Sequence, residues 1–87
     1  MSKNKQTKHN ENLRLCKDEL AAAQENRDQK QIATASASLG LALFQVFKTV
    51  EGLRYFAEAL KIAQELDDLK LQVHCLGMKA LAFQAVG

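Results

Sequence analysis

The sequence predicts an all-α protein, because of its composition, its spacing of apolar residues and an internal repeat. None of the 87 residues is proline and only four are glycine, so few positions break a helix. Apolar residues recur every three or four positions, as they do on one face of a helix. This pattern predicts four helices, at about 10–26, 28–47, 49–66 and 68–86. Connections this short favour antiparallel hairpins, and we expect these hairpins to stack as a short α-solenoid.

The first predicted helix begins at Asn10, a good N-terminal cap, and carries the apolar stripe Leu13, Cys16, Leu20 and Ala23. Residues 1–9 are predicted to be a disordered basic tail, since they contain Lys3, Lys5 and Lys8 and no acid. Residues 10–87 are then a single domain, which we interpret as a fragment of a longer repeat array.

The second helix is predicted to pack against neighbours on two sides. Asp28 is its candidate cap, and apolar residues cover most of its circumference, as expected of a helix packed on two sides. One stripe holds Ile32, Leu39 and Leu43, and the other holds Ala33, Ala37, Leu41 and Phe44.

The third helix is predicted to start with Thr49 as its cap, and the fourth with Asp67 or Asp68. Phe56, Leu60 and Ala63 belong to the buried face of the third helix. Gly77 lies inside the fourth helix, where glycine costs about 1 kcal/mol relative to alanine. We therefore expect another helix to approach closely at Gly77.

The chain repeats itself after forty residues. When the sequence is shifted by this period, thirteen of forty-seven aligned pairs are identical, well above chance for this composition. The pairs include Leu13/Leu53, Leu20/Leu60, Asp28/Asp68, Lys30/Lys70 and Leu41/Leu81. A period of this length is typical of helical repeat proteins.

Within this period the sequence resembles a tetratricopeptide repeat. The resemblance rests on Leu39-Gly40, Leu43, Gly52, Phe56 and Ala59, in which small residues stand where two helices cross and large ones beside them. The long period is similar to that of rapsyn-like and cell-polarity scaffold repeats. The sequence departs from the family pattern at Ser36, where a large residue is usual, and at Lys79, where an apolar residue is usual.

The resemblance implies a protein–protein interaction scaffold that binds a peptide or helical segment on the concave face of the array. The matching positions are Thr34, Ala37, Leu41, Phe44, Gln45, His74, Leu81, Gln84 and Ala85, with Gly77 beside them. The alternative is a structural element that forms a homodimer through its unpaired terminal helices. Each hairpin has an apolar side that needs a neighbour, either another copy or further repeats of the same chain.

Other function classes are not expected from this sequence. His74 and Cys75 are adjacent, but neighbours on a helix point about 100° apart, so we expect no catalytic residue, metal or cofactor, and hence no enzyme. The net charge of +2 comes from the first nine residues, and without a basic face interleaved with aromatic residues we expect no nucleic-acid partner. No apolar stretch approaches the length of a membrane helix. The two cysteines form no disulfide framework, which favours a cytoplasmic protein.

Overall fold

The protein, described here as a computed structural model, is built from four α-helices in series. The structure describes residues 2–86, with side chains from Thr7 onward. The described residues contain no strand, which confirms the predicted all-α class. The helices are α1 (Ser2–Asn26), α2 (Gln29–Gln45), α3 (Thr49–Glu65) and α4 (Leu69–Val86).

Helix α1 begins at Ser2 rather than at Asn10. Residues 2–9 contain neither proline nor glycine and include good helix formers such as Lys8, so nothing in the sequence stops the helix at Asn10. Met1 and the side chains of residues 2–6 lie outside the described part of the structure. The disordered basic tail at residues 1–9 therefore stays a prediction.

All three connections between helices have the same backbone geometry. At the end of α1, the N–H of Arg27 donates to the carbonyl of Gln24 (3.1 Å), and the N–H of Asp28 donates to the carbonyl of Ala23 (3.3 Å). This pair of bonds is the Schellman motif, which satisfies carbonyl groups at a helix C-terminus. The motif recurs after α2, at Phe47 and Lys48, and after α3, at Asp67 and Asp68.

The motif requires one residue in the left-handed region, and here that residue is never glycine. Arg27, Phe47 and Asp67 have φ values of 55°, 64° and 53°. Each is a residue with a Cβ atom, for which this conformation is unfavourable. Phe47 was predicted to belong to the second helix, but the turn at this position ends α2 at Gln45.

Two of the four predicted helix caps are confirmed, and Asn10 is not a cap because it lies inside α1. Oδ1 of Asp28 accepts a hydrogen bond from the N–H of Gln31 (3.2 Å), and Oδ1 of Asp68 accepts one from Leu71 (3.0 Å). Thr49 was wrongly predicted as the cap of α3, because it is already the first residue of that helix. The cap position belongs to Lys48, whose side chain makes no capping bond.

Helix α2 is packed on two sides, as predicted, and it is the centre of the fold because α1, α3 and α4 all pack against it. One core cluster lies between α2, α3 and α4 and includes Ala37, Phe44, Phe56 and Cys75. A second cluster lies between α1 and α2 and includes Cys16, Leu20, Leu39 and Leu43. The two apolar stripes of α2 thus belong to different clusters.

Helices α2 and α3 cross where the sequence places two glycines. A Cβ atom on Gly40 would lie 3.0 Å from the carbonyl oxygen of Gly52, closer than side chains normally approach. The prediction of a close crossing is confirmed here. The corresponding prediction for Gly77 is wrong within this chain, because a Cβ atom there would meet nothing within 4 Å.

Among the described residues, no helix combines the length and the apolar character that crossing a membrane requires.

Candidate functional site

Helices α2 and α4 lie side by side and run in the same direction. At their N-terminal ends, Nζ of Lys30 lies 3.6 Å from Oδ2 of Asp68. Near their C-terminal ends, the rings of Phe44 and Phe83 meet edge to face with centroids 5.4 Å apart. Contacts at both ends fix the two helices as parallel neighbours, and all nine predicted binding residues belong to them.

Two of those nine residues cannot contact a ligand in this structure. Ala37 is fully buried, and Phe44 is only 1% exposed. Phe44 packs against Phe56 and Phe83. The two positions that the tetratricopeptide resemblance assigned to a binding face therefore point into the contact of α2 with α3 and α4. Ala37 and Phe44 are therefore corrected from binding residues to core residues.

Six of the remaining residues form two matching sets, which we call the α2–α4 face. The sets have the same spacing, with members seven and eleven positions after the first, so each set lies along one side of its helix. All six side chains are at least partly accessible. They are Thr34, Leu41 and Gln45 on α2, and His74, Leu81 and Ala85 on α4.

Gln84 is exposed but lies outside this face. It stands forty residues after Phe44 and occupies the same side of α4 that Phe44 occupies on α2. The α2–α4 face contains no Asp, Glu, Lys or Arg, and it combines apolar groups with an imidazole, an amide and a hydroxyl. The hydroxyl of Thr34 donates to the carbonyl of Lys30 (3.0 Å).

A groove between α1 and α3 was not predicted from the sequence. It has a volume of about 460 Å³. Its apolar part includes Leu39 and Leu43, and Lys17, Arg54 and Glu58 supply charges. Ser36, which is 2% exposed, also lines this groove. The tetratricopeptide pattern has a large side chain at this position, and this departure from the pattern is the sequence signal that could have predicted the groove.

A second groove, which we call the α1–α2 groove, lies along the first hairpin and has a volume of about 480 Å³. Small side chains predominate in it, which leaves space beside the two helices. It is lined by Glu19, Ala22, Ala23, Lys30, Gln31, Thr34, Ala35 and Ser38.

Helix α4 exposes several large apolar side chains. Leu69, Val73, Leu76, Leu81 and Phe83 are each at least 50% exposed. Exposed apolar side chains that form a contiguous patch mark a surface for another macromolecule, so α4 is a candidate for such a contact.

Among the described residues, the two cysteine thiols both have raised pKa values. Burial raises the pKa of the Cys75 thiol. Burial, with a smaller contribution from Glu19, raises the pKa of Cys16. Both thiols are thus held in the protonated form, the less nucleophilic one. His74 is exposed whereas Cys75 is buried, and within the described residues no group of three His, Cys, Asp or Glu could hold a metal ion.

Asp68 has a clearly lowered pKa. The N–H of Leu71 is the main cause, and Lys30 acts in the same direction. Both interactions favour the charged carboxylate, so this group acts as a cap and a link between α2 and α4.

Comparison with known proteins identifies no relative. No protein family matches the chain, and no curated protein or solved structure matches it significantly.

Proposed function

We propose that this chain is a non-enzymatic protein–protein interaction module of the tetratricopeptide type, which binds a peptide or short helical segment on the α2–α4 face. The observation that carries this proposal is the pair of matching residue sets on two adjacent parallel helices. Leu41 and Leu81 occupy equivalent places in the two sets, and Leu81 is 52% exposed. Together they offer an apolar contact flanked by Gln45 and His74.

The face specifies the chemistry of its ligand. None of its six residues is Asp, Glu, Lys or Arg, so a strongly charged peptide gains no ion pair there. A segment with an apolar side chain at its centre and polar groups on either side fits better, because it buries apolar area against Leu81 and donates to Gln45 or His74.

A displayed library of random peptides tests this proposal. The protein is used at concentrations where it is a monomer, and bound peptides are mapped by amide chemical shifts. We expect selected peptides to perturb Thr34, Leu41 and Leu81 and to lose at least tenfold in affinity for the L81E variant. Leu76→Glu is the matched control, because Leu76 is equally exposed, at 52%, on another side of α4. Failure to select any peptide, or equal loss with both variants, would refute peptide capture on this face.

A second candidate is self-association through α1 and α4. It is supported by the exposed apolar residues of α4, and it predicts a homodimer that dissociates when Leu81 or Phe83 is replaced by a charged residue.

We also propose a cytoplasmic location, supported by the presence of both cysteines as free thiols.

A further inference from the structure

We propose that one copy of this chain binds a second copy head to tail, with α4 of the first copy seated in the α1–α2 groove of the second. This inference keeps the self-association of the second candidate but places the contact on other residues of α4, and it does not depend on peptide capture. It rests on a contact that the chain already makes internally, between α2 and the hairpin of α3 and α4.

The internal contact identifies the surface that inserts. Ala33 and Ala37 on α2 are fully buried, and both belong to the cluster shared with α3 and α4. Gly40, on the same helix, meets α3. One period later these three positions are Val73, Gly77 and Ala80, which we call the stacking face. All three are exposed, and Val73 is 69% exposed.

The same internal contact identifies the surface that would receive α4 of another copy. The residues of α3 and α4 in this cluster include Ile62, Ala63, Leu71, Cys75 and Met78. The equivalents of these five residues one period earlier line the α1–α2 groove, and they are Ala22, Ala23, Gln31, Ala35 and Ser38. The groove therefore lies where the first hairpin would receive a helix related to α2, and α4 is the helix in the chain that is related to α2.

The ion pair of the internal contact has a possible counterpart between α4 of one copy and the α1–α2 groove of the other. Lys30 on the inserting helix meets Asp68, the cap of the receiving hairpin, at 3.6 Å. One period away, the corresponding residues are Lys70 on α4 and Asp28 at the groove. Both are exposed, and within the described part of the chain neither makes an ion pair. Oδ1 of Asp28 caps α2, as Oδ1 of Asp68 caps α4, so charge complementarity supports a second copy as the occupant.

The receiving surface is not identical to the internal one. Asn12 and Glu19 stand where Gly52 and Ala59 stand in the internal contact, so the backbones approach less closely. The association is therefore weaker than the internal packing and reversible. It is also heterologous, because each copy uses two different surfaces, and a dimer keeps one free face and one free groove.

Two single substitutions test this geometry by sedimentation equilibrium from about 10 µM to about 1 mM, a range that captures weak association. Val73→Glu blocks the stacking face, and Ala22→Glu blocks the groove; both residues are exposed, so folding is preserved and is checked by circular dichroism. We expect the average mass of the wild-type protein to rise with concentration and each variant to remain a monomer. The matched controls, Val50→Glu at the same 69% exposure and Ala21→Glu, should associate like the wild type.

Mixing the two variants gives the decisive result. Val73→Glu keeps an intact groove and Ala22→Glu keeps an intact face, so an equimolar mixture should form a dimer and stop there. A wild-type protein that stays a monomer at every concentration would overturn the proposal. So would a mixture that stays monomeric, or an Ala22→Glu variant that dimerises alone, which would indicate a symmetric contact instead. None of these outcomes affects peptide capture, which is tested at Leu81.

Discussion

A Cβ atom on Gly52 would lie 2.5 Å from Cδ1 of Phe44 and 2.8 Å from the carbonyl oxygen of Gly40. Phe44 is itself fixed between Phe56 and Phe83, so it has little room to move away. We predict that Gly52→Ala lowers the free energy of unfolding by about 1–3 kcal/mol through overpacking. Gly40→Leu should cost at least as much for the same reason.

Gly77→Ala is the matched control for this prediction, measured in the same urea titration. It makes the same chemical change inside a helix, but nothing lies within 4 Å of the added atom. It should therefore raise stability by up to about 1 kcal/mol through helix propensity. Equal effects of the two substitutions would contradict the close crossing of α2 and α3.

Phe47→Gly is predicted to stabilise the protein. Phe47 has a φ of 64°, a conformation that costs a residue with a Cβ atom roughly 1 kcal/mol or more, and its side chain is 81% exposed, so little packing is lost. We expect the thermal midpoint to rise for Phe47→Gly but not for Phe47→Ala, which removes the ring and keeps the strain. If the thermal midpoint rises equally for both variants, the stabilisation comes from removing the exposed ring and not from relieving the backbone strain.

Lys48→Asp should add the cap that α3 lacks. Lys48 occupies the position that Asp28 and Asp68 occupy before α2 and α4, and its side chain makes no capping bond. An aspartate there should accept an N–H from the first turn and add about 1 kcal/mol to the free energy of unfolding. Lys48→Asn separates capping from charge, because it should give most of the same gain. If neither variant is more stable than the wild type, the N–H groups in the first turn of α3 already have hydrogen-bond partners.

The contribution of Asp68 is predicted to depend on pH. Its pKa is lowered in the folded protein by the N–H of Leu71 and by Lys30, so the folded state holds the proton less tightly than the unfolded state. Its charged form therefore stabilises the fold above the unfolded pKa, and this contribution is lost as the pH falls through the folded pKa.

Asp68→Asn, compared with the wild type by urea unfolding, measures this effect. The variant should be less stable at neutral pH, and the difference should shrink in acid. Asp18→Asn, at an exposed position of α1, controls for the loss of one surface charge. A difference for Asp68→Asn that stays constant down to strongly acidic pH would contradict the prediction.

The sequence predicted the features that depend on local pattern. The apolar spacing predicted four helices, and the glycine pair predicted the crossing of α2 and α3. The prediction for Thr49 was wrong because a threonine near the start of a helix fits the sequence pattern of a cap, whether it precedes the helix or is its first residue. The tetratricopeptide resemblance assigned Ala37 and Phe44 to a binding face, but a helix that is apolar on two sides does not reveal which neighbour covers each side. The α1–α3 groove was missed for a similar reason, since a small residue such as Ser36 opens space only once its neighbours are placed.

The central position of α2 also determines how the molecule opens. Helix α1 packs mainly on α2, whereas α4 packs on both α2 and α3, so α1 can detach while the other three helices stay together. Each core cluster contains one cysteine, Cys16 between α1 and α2 and Cys75 between α2, α3 and α4. Under native conditions an alkylating reagent should therefore label Cys16 faster than Cys75. Mass spectrometry of the two labelled peptides would then distinguish partial opening of the chain from its complete unfolding.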